Sequence, residues 1–112
     1  MKWENRGHEY DELAKNICDG NTKYYLWGIG ILGESFYNDF SKRISIIGFI
    51  DSNPLKQGKW IAGVYVYTPD EFVLKENEKI IIATGWVKQV SDILVKRGYK
   101  KNEDFYLLDN FS

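Results

Sequence analysis

The sequence predicts an α/β fold in which a mostly parallel sheet is covered by helices on both faces. Short apolar runs alternate with segments of helical periodicity, and a glycine-rich turn follows the first apolar run. Strands that alternate with helices imply right-handed crossovers between parallel strands. With 112 residues, of which 44% are apolar, the chain is predicted to be one domain over residues 1–112. It is too small for a nucleotide domain plus a separate catalytic domain.

The glycine-rich turn is the most informative motif. Residues 24–27 form an apolar run that leads directly into Gly28, Gly30 and Gly33. In a dinucleotide-binding turn the first glycine permits the tight bend, the second lets a pyrophosphate approach bare backbone, and the third lets the helix pack closely on the sheet. The amides at the start of that helix, with the positive end of its dipole, would then face the phosphates.

An acidic residue follows the second apolar run. Residues 44–50 are rich in isoleucine, as a strand covered on both faces should be, and the next residue is Asp51. Asp51 lies 23 positions after Gly28, close to the expected place of an acid that accepts hydrogen bonds from ribose hydroxyls. It could also cap the turn through the amides of Ser52 and Asn53, and the two roles are compatible.

Helical periodicity predicts the first two helices. Residues 1–20 are expected to form an N-terminal arm and an amphipathic helix. A second helix should run from the glycine turn to about residue 42, because Leu32, Phe36 and Phe40 recur every fourth residue.

Turn residues and apolar runs predict the remaining elements. A third strand at 64–67 precedes Thr68 and Pro69, which are typical of the start of a short helix. A fourth strand at 79–83 leads through Thr84 and Gly85 into a third crossover helix, which ends near residue 97. The inward face of that helix is predicted to carry Val87, Val90, Ile93 and Leu94. A final strand is expected at 105–108.

Together these elements predict a three-layer, Rossmann-like, doubly wound sheet of five strands in the order 3-2-1-4-5. The ligand crevice of such a sheet lies outside the carboxyl ends of strands one and four. Three separate segments meet there, and the candidate binding residues are Gly28, Gly30, Ile31, Gly33, Asp51, Ser52, Asn53, Thr84 and Gly85.

Two kinds of side chain near the crevice leave alternatives open. Lys56 and Lys59 could approach a phosphate from the loop after Asp51, or they could belong to a solvated loop. Trp60 and Trp86 stand beside turns from which a ring could stack on a base, although packing against a neighbour is the commoner role of such a residue.

Composition argues against several function classes. Fifteen basic and sixteen acidic residues give a net charge of −1 without a basic stripe, so nucleic acid is not expected as a partner. Short apolar runs and a polar N-terminus predict a cytoplasmic chain without a signal peptide or a membrane span. One cysteine and one histidine cannot form a shared metal site. No tyrosine has a lysine four positions later, and no nucleophile has an evident base, so no catalytic residue is expected.

The motifs also resemble a known group of domains. The segments 27–33, 47–54, 61–66, 68–71 and 80–85 resemble the small Rossmann-like domains of bacterial polysaccharide-biosynthesis enzymes, such as bacillosamine-type sugar acetyltransferases, sugar C-methyltransferases and sugar-nucleotide dehydratases. The resemblance implies that Gly28, Gly30, Gly33 and Asp51 hold a nucleotide. It implies either NAD(P) or a UDP- or dTDP-sugar as the ligand, and a fused or partner catalytic domain.

The sequence is therefore interpreted as a nucleotide-diphosphate-binding module of sugar-nucleotide or polysaccharide biosynthesis that is not catalytic alone. Two alternatives remain open at this point. The domain could be a degenerate Rossmann scaffold that makes protein contacts and has an empty crevice. It could also be half of an NAD(P)-dependent oxidoreductase or epimerase that needs a partner domain.

Overall fold

The fold is taken from a computed structural model that describes residues 20–107. The predicted N-terminal helix and arm lie outside the described residues. Six strands and two helices occur within them: β1 (Lys23–Trp27), α1 (Ile31–Phe40), β2 (Ser45–Ile50), β3 (Trp60–Ile61), β4 (Val64–Tyr67), β5 (Glu78–Ile82), α2 (Val87–Lys96) and β6 (Phe105–Leu107).

The strands form one sheet in the order β3-β4-β2-β1-β5-β6. β1 pairs in parallel with β2 and β5, β2 pairs with β4, and β5 pairs with β6, so the five predicted strands occur in their predicted order. The α/β fold class is confirmed. The carboxyl ends of the parallel strands meet at one edge of this sheet, and the glycine turn follows the central strand β1 at that edge.

Two apolar clusters hold the layers together on opposite faces of the sheet. Successive residues of β1 point to opposite faces, so Tyr24 and Leu26 belong to one cluster while Tyr25 and Trp27 belong to the other. α1 packs on the first face, and α2 packs on the second. The buried helix residues that make these contacts are Phe36 and Phe40 of α1 and Val90 and Leu94 of α2.

The sheet has six strands rather than five because a short hairpin extends its edge. β3 pairs antiparallel with β4 through Trp60 with Tyr65 and Ile61 with Val64. The two residues between them, Ala62 and Gly63, both have positive φ, as a tight type I′ hairpin turn requires. Ala-Gly lacks the asparagine or aspartate that marks such turns in a sequence, so the sequence predicts the strand at 64–67 but not the short strand that pairs with it.

The predicted helix after Thr68 is absent from the described residues. Thr68 and Glu71 form a single capped turn: the amide of Glu71 donates to the carbonyl oxygen of Thr68, and the Glu71 side chain accepts from the amide of Thr68. The chain then continues without helix to β5. Phe72 and Leu74 both pack on the second apolar cluster, and residues two apart share a side in an extended chain but not in a helix. The packing of both side chains on this cluster therefore favours the extended crossover.

The extended crossover yields a stability prediction. Phe72 is buried, and its ring lies 5.7 Å from the ring of Trp27 and 6.0 Å from that of Tyr25. We expect Phe72→Ala to lower the free energy of unfolding by about 3 to 5 kcal/mol, the range for deleting a buried ring. The neighbouring Val73→Ala should change it by less than about 0.5 kcal/mol, because Val73 is exposed. Urea denaturation of both variants measures this difference, and equal effects would contradict the described crossover.

Candidate functional site

The glycine turn is fixed by a close approach of backbone to backbone. Gly28 has a φ of 106°, and its amide donates to the carbonyl oxygen of Ile50 at 2.7 Å. A Cβ atom at this position would lie 2.7 Å from the carbonyl oxygen of Ala83, which is closer than real side chains approach. Only glycine satisfies both the positive φ and the close contact with Ala83, the residue that follows β5.

The other two glycines of the turn differ in what surrounds them. A Cβ at Gly33 would overlap the carbonyl oxygen of Gly28, so glycine lets α1 sit directly on the turn. A Cβ at Gly30 would meet no atom within 4 Å, because Gly30 faces open space at the start of α1. No side chain caps this helix start, so the amides of its first turn lie beside bare backbone and open space. Gly33 therefore has the packing role that the spacing predicts, and the space beside Gly30 is open, as the approach of a ligand would require.

Asp51 ties the end of β2 to the glycine turn. Its Oδ2 accepts the amide of Ile29 at 3.0 Å, and its Oδ1 accepts the amide of Asn53 at 2.8 Å. A carboxylate has about four lone-pair positions, so these two bonds leave acceptor capacity on both oxygens. The side chain is partly exposed and lines the cleft described below. Asp51 thus caps its own turn through the amide of Asn53, though not through that of Ser52 as the alternative interpretation also expects, and it presents a carboxylate to the cleft.

Lys56 forms a hydrogen bond with Ile29, the residue of the turn that Asp51 also contacts. Its Nζ donates to the carbonyl oxygen of Ile29 at 3.0 Å, while the amide of Ile29 is held by Asp51. Two oppositely charged side chains from one loop therefore hold both polar groups of Ile29. The loop itself is ordered by Gln57, whose Nε2 donates to the carbonyl oxygen of Asp51 at 2.8 Å. Lys56 is half-buried in the wall of the cleft rather than part of a solvated loop.

These groups surround a cleft of about 510 Å³ at the carboxyl edge of the sheet. A volume of this size falls in the range of small-molecule and cofactor sites. One wall is polar and comes from the loop after β2. The other wall is largely apolar and comes from the start of α2, and the glycine turn lies between them. The lining residues are Trp27, Gly28, Gly30, Asp51, Ser52, Asn53, Lys56, Thr84, Trp86, Gln89, Val90 and Ile93.

Six of the nine sequence-predicted binding residues line this cleft: Gly28, Gly30, Asp51, Ser52, Asn53 and Thr84. Gly33 faces Gly28 instead, and Gly85 is an exposed residue with no atom near its Cβ position. The side chain of Ile31 is almost fully exposed and does not line the cleft, although its amide belongs to the first turn of α1.

The wall formed by α2 is the part that the sequence does not predict. Ile93 is predicted to face inward with Leu94, but it is partly exposed and lines the cleft together with Gln89. Trp86 is likewise exposed at the N-cap of α2 instead of packed against a neighbour. The helical spacing of Trp86, Gln89 and Ile93, at intervals of three and four residues, places them on one side of α2 and is the signal that could have found this wall.

Residues 20–107 contain no group of three or more His, Cys, Asp or Glu side chains that could hold a metal ion. In the same part of the chain, no helix is long and apolar enough to cross a membrane.

The fold and the cleft define a small Rossmann-like domain with a glycine turn at its ligand crevice. The chain belongs to the C2185-like, N-terminal family, whose model matches residues 20–103.

Two curated relatives are redox-sensing transcriptional repressors named Rex. The protein from Caldicellulosiruptor bescii is 30% identical over 101 residues, and that from Caldicellulosiruptor saccharolyticus is 28% identical over 101 residues. Each match covers 81% of this chain and 46% of the relative. The chain therefore spans about half the length of the curated relatives that it matches.

Solved structures of RSP, a Rex-family repressor, have a similar fold. The complex of RSP with β-NADH matches with a TM-score of 0.57 and 23% identity, over 88% of this chain and 58% of the other. The complex with β-NAD⁺ and operator DNA matches with a TM-score of 0.60 and 22% identity, over 88% of this chain and 55% of the other. At this identity the likeness shows the Rossmann-like fold.

The expectation that nucleic acid is not a partner is wrong in the light of these relatives. The two Caldicellulosiruptor proteins are transcriptional repressors, and one RSP structure contains operator DNA. The expectation rests on the charge balance of this chain alone. This chain matches only about half the length of the Rex repressors, and its charge balance carries no information about the other half of those proteins.

The glycine turn yields a paired stability prediction. We expect Gly33→Ala to lower the free energy of unfolding by about 1 to 3 kcal/mol, the range for overpacking, because the new Cβ would overlap Gly28. Gly30→Ala should change it by less than about 1 kcal/mol, since a poorer helix cap and a less flexible unfolded chain act in opposite directions. Thermal and urea denaturation of the two variants test this, and equal stability would contradict the close contact at Gly33.

Proposed function

We propose that the cleft binds NAD(H) and that this chain is the dinucleotide-sensing part of a redox-responsive regulator. The observation that carries the proposal is the position of Asp51. Its carboxylate lines the cleft next to the glycine turn and keeps acceptor capacity beyond its two backbone bonds. A ribose diol supplies two hydroxyl donors for such a carboxylate.

The glycine turn provides a place for a diphosphate between the two walls. Gly30 has no side chain, and the space beside it is open. The amides of the first turn of α1 and the positive end of the helix dipole attract negative charge at this point. Lys56 adds a full positive charge to the polar wall of the cleft, beside the glycine turn. Glycine turn, cation and acid together match the order of groups in a ribose and its diphosphate.

The relatives favour NAD(H) over a sugar nucleotide. RSP is described with β-NADH and with β-NAD⁺, and the Caldicellulosiruptor relatives are redox-sensing repressors. None of these relatives is a polysaccharide-biosynthesis enzyme, so they lend no support to the sugar part of the sequence-based interpretation. We therefore expect UDP- and dTDP-sugars to bind more weakly than NAD(H).

A sensor needs binding but no chemistry, and the cleft fits that requirement. Among residues 20–107, its titratable side chains are Asp51 and Lys56, and both are engaged with the backbone of Ile29. We propose that the domain binds the dinucleotide without turnover and that its bound or unbound state controls the binding of a partner. By analogy with the relatives, that partner is operator DNA, which binds another part of the functional protein. We propose that the protein acts in the cytoplasm.

The first prediction concerns affinity and the role of Asp51. We expect the purified chain to bind NAD⁺ or NADH in isothermal titration calorimetry, more tightly than UDP- or dTDP-sugars. Asp51→Asn should weaken dinucleotide binding by about 1.5 to 3 kcal/mol, the range for hydrogen bonds to a charged group. Urea denaturation of the same variant separates this effect from any loss of the contact with Ile29.

Asp104 offers a matched control. Its Oδ2 accepts a hydrogen bond from the amide of Lys100 at 2.8 Å, so it also caps a turn. It precedes β6, however, and therefore lies at the amino ends of the parallel strands, away from the cleft. Asp104→Asn should leave affinity unchanged. Unaltered binding by Asp51→Asn would contradict the ribose role of Asp51, and no binding of either dinucleotide by the unmodified chain would contradict the proposed function.

The second prediction concerns NADP(H). A 2′-phosphate would stand beside the Asp51 carboxylate, and the residue after Asp51 is Ser52 rather than an arginine that could accommodate it. Like charges that face each other at a binding site cost several kcal/mol. We expect NADP(H) to bind at least about tenfold more weakly than NAD(H), and the gap to narrow in Asp51→Asn. Equal or tighter binding of NADP(H) to the unmodified chain would refute this selectivity.

A further inference from the structure

A second groove lies on the sheet face that α1 covers. The connection from β2 to β4 runs through a loop and the β3–β4 hairpin rather than through a helix, so the space beside α1 stays open. The groove lies between α1 and the hairpin and has a volume of about 370 Å³, within the range of small-molecule sites. Among residues 20–107, Lys56 alone lines both this groove and the cleft.

The floor of the groove is apolar. Ile29, Phe49 and Ile61 line it, and all three belong to or pack against the first apolar cluster. Phe49 is buried, and Tyr37, which also lines the groove, packs edge-on against it with ring centroids 5.3 Å apart. An aliphatic or aromatic group of a ligand gains free energy when such a floor removes it from water.

The rim of the groove carries opposite charges that do not pair with each other. Glu34 and Asn38 lie one turn apart on α1, and neither side chain has a hydrogen bond or ion pair within residues 20–107. Lys56 donates to the carbonyl oxygen of Ile29 at 3.0 Å, which uses only one of the donors of an ammonium group. The amide of Glu34 donates to the carbonyl oxygen of Gly30, the residue after Ile29. The two charges are therefore anchored little more than one helical turn apart, about 5.4 Å along the axis.

We infer that this groove binds a small zwitterion, a molecule that carries an ammonium and a carboxylate beside an apolar side chain, as an α-amino acid does. The ammonium pairs with Glu34, the carboxylate pairs with Lys56, and the apolar side chain lies on the floor. Two neighbouring charged groups and two hydrogen bonds of about 2.8 Å bridge a gap of this length. A ligand with a single charge would satisfy one side of the rim and leave the other without a partner.

Lys56 links the groove to the cleft. It holds the carbonyl oxygen of Ile29, and Asp51 holds the amide of the same residue. A carboxylate in the groove draws on the ammonium that we assign to the diphosphate, and two negatively charged ligands on either side of one lysine repel each other. Each ligand therefore weakens the binding of the other, by the same factor in both directions. This coupling rests on the proposed function, whereas the groove site does not.

Titration of the ¹⁵N-labelled chain with L-leucine at millimolar concentrations tests the groove. We expect saturable amide shifts at residues 34–38 and 61–62 and none at residues 86–93. Isocaproate, which lacks the ammonium, and leucinamide, which lacks the carboxylate, should each bind about three- to tenfold more weakly than leucine. This range lies between an exposed ion pair and a hydrogen bond to a charged group.

Two variants test the assignment of the ammonium to Glu34. Glu34→Gln should weaken leucine binding about three- to tenfold and should leave the affinity for isocaproate unchanged, because isocaproate has no ammonium to lose. Glu76→Gln is the matched control, since it removes an equally exposed carboxylate just before β5, away from the groove, and it should change neither affinity. No saturable shift with leucine, or equal binding of leucine and isocaproate, would overturn the zwitterion site.

Calorimetric titration of NADH with and without leucine tests the coupling. Saturating leucine should weaken NADH binding severalfold, and saturating NADH should weaken leucine binding by the same factor. Unchanged or tighter NADH binding would overturn the coupling. If the unmodified chain does not bind NADH, the proposed function and the coupling both fail, and the leucine titration still decides whether the groove is a site.

Discussion

The contact of the glycine turn with the loop after β2 is the constraint on which the cleft depends. Ile29 is held at its amide by Asp51 and at its carbonyl by Lys56, and Gly28 next to it packs against the backbone just after β5. These contacts fix the start of α1 and therefore the direction of its first amides. They also fix two charged side chains, Asp51 and Lys56, in the wall of the cleft, whereas a mobile loop would not hold them in place. The site is thus ordered before any ligand arrives, which reduces the conformational cost of binding.

Much of this arrangement could be predicted because its causes are local. Positive φ and close approach require glycine at Gly28, and close packing requires it at Gly33, while Asp51 is found from its place after a buried strand. Strand order follows from handedness rules once the alternation of strands and helices is seen. These features depend on backbone geometry, which restricts the residue types at particular positions and can therefore be recognised in the sequence.

Other features depend on which neighbours a residue meets in three dimensions. The extended path through Phe72 and Leu74 is selected by burial against Trp27, although Thr68 and Glu71 form the turn that usually opens a helix. Lys56 reaches the cleft only because its loop folds back on the glycine turn. The charge balance of this chain likewise carries no sign of the operator DNA found with RSP, because a nucleotide-binding domain needs no basic surface of its own to belong to a DNA-binding protein.

The central claim is that one dinucleotide occupies both walls of the cleft at once. Titration of the ¹⁵N-labelled chain with NADH, followed by two-dimensional amide NMR spectra, tests it most directly. We expect signals from residues 28–33, from residues 51–53 and from the Trp86 indole to shift together along one saturable binding curve. Signals from residues 42–45, at the opposite edge of the sheet, should stay in place. The absence of shifts, or shifts confined to that opposite edge, would contradict the account.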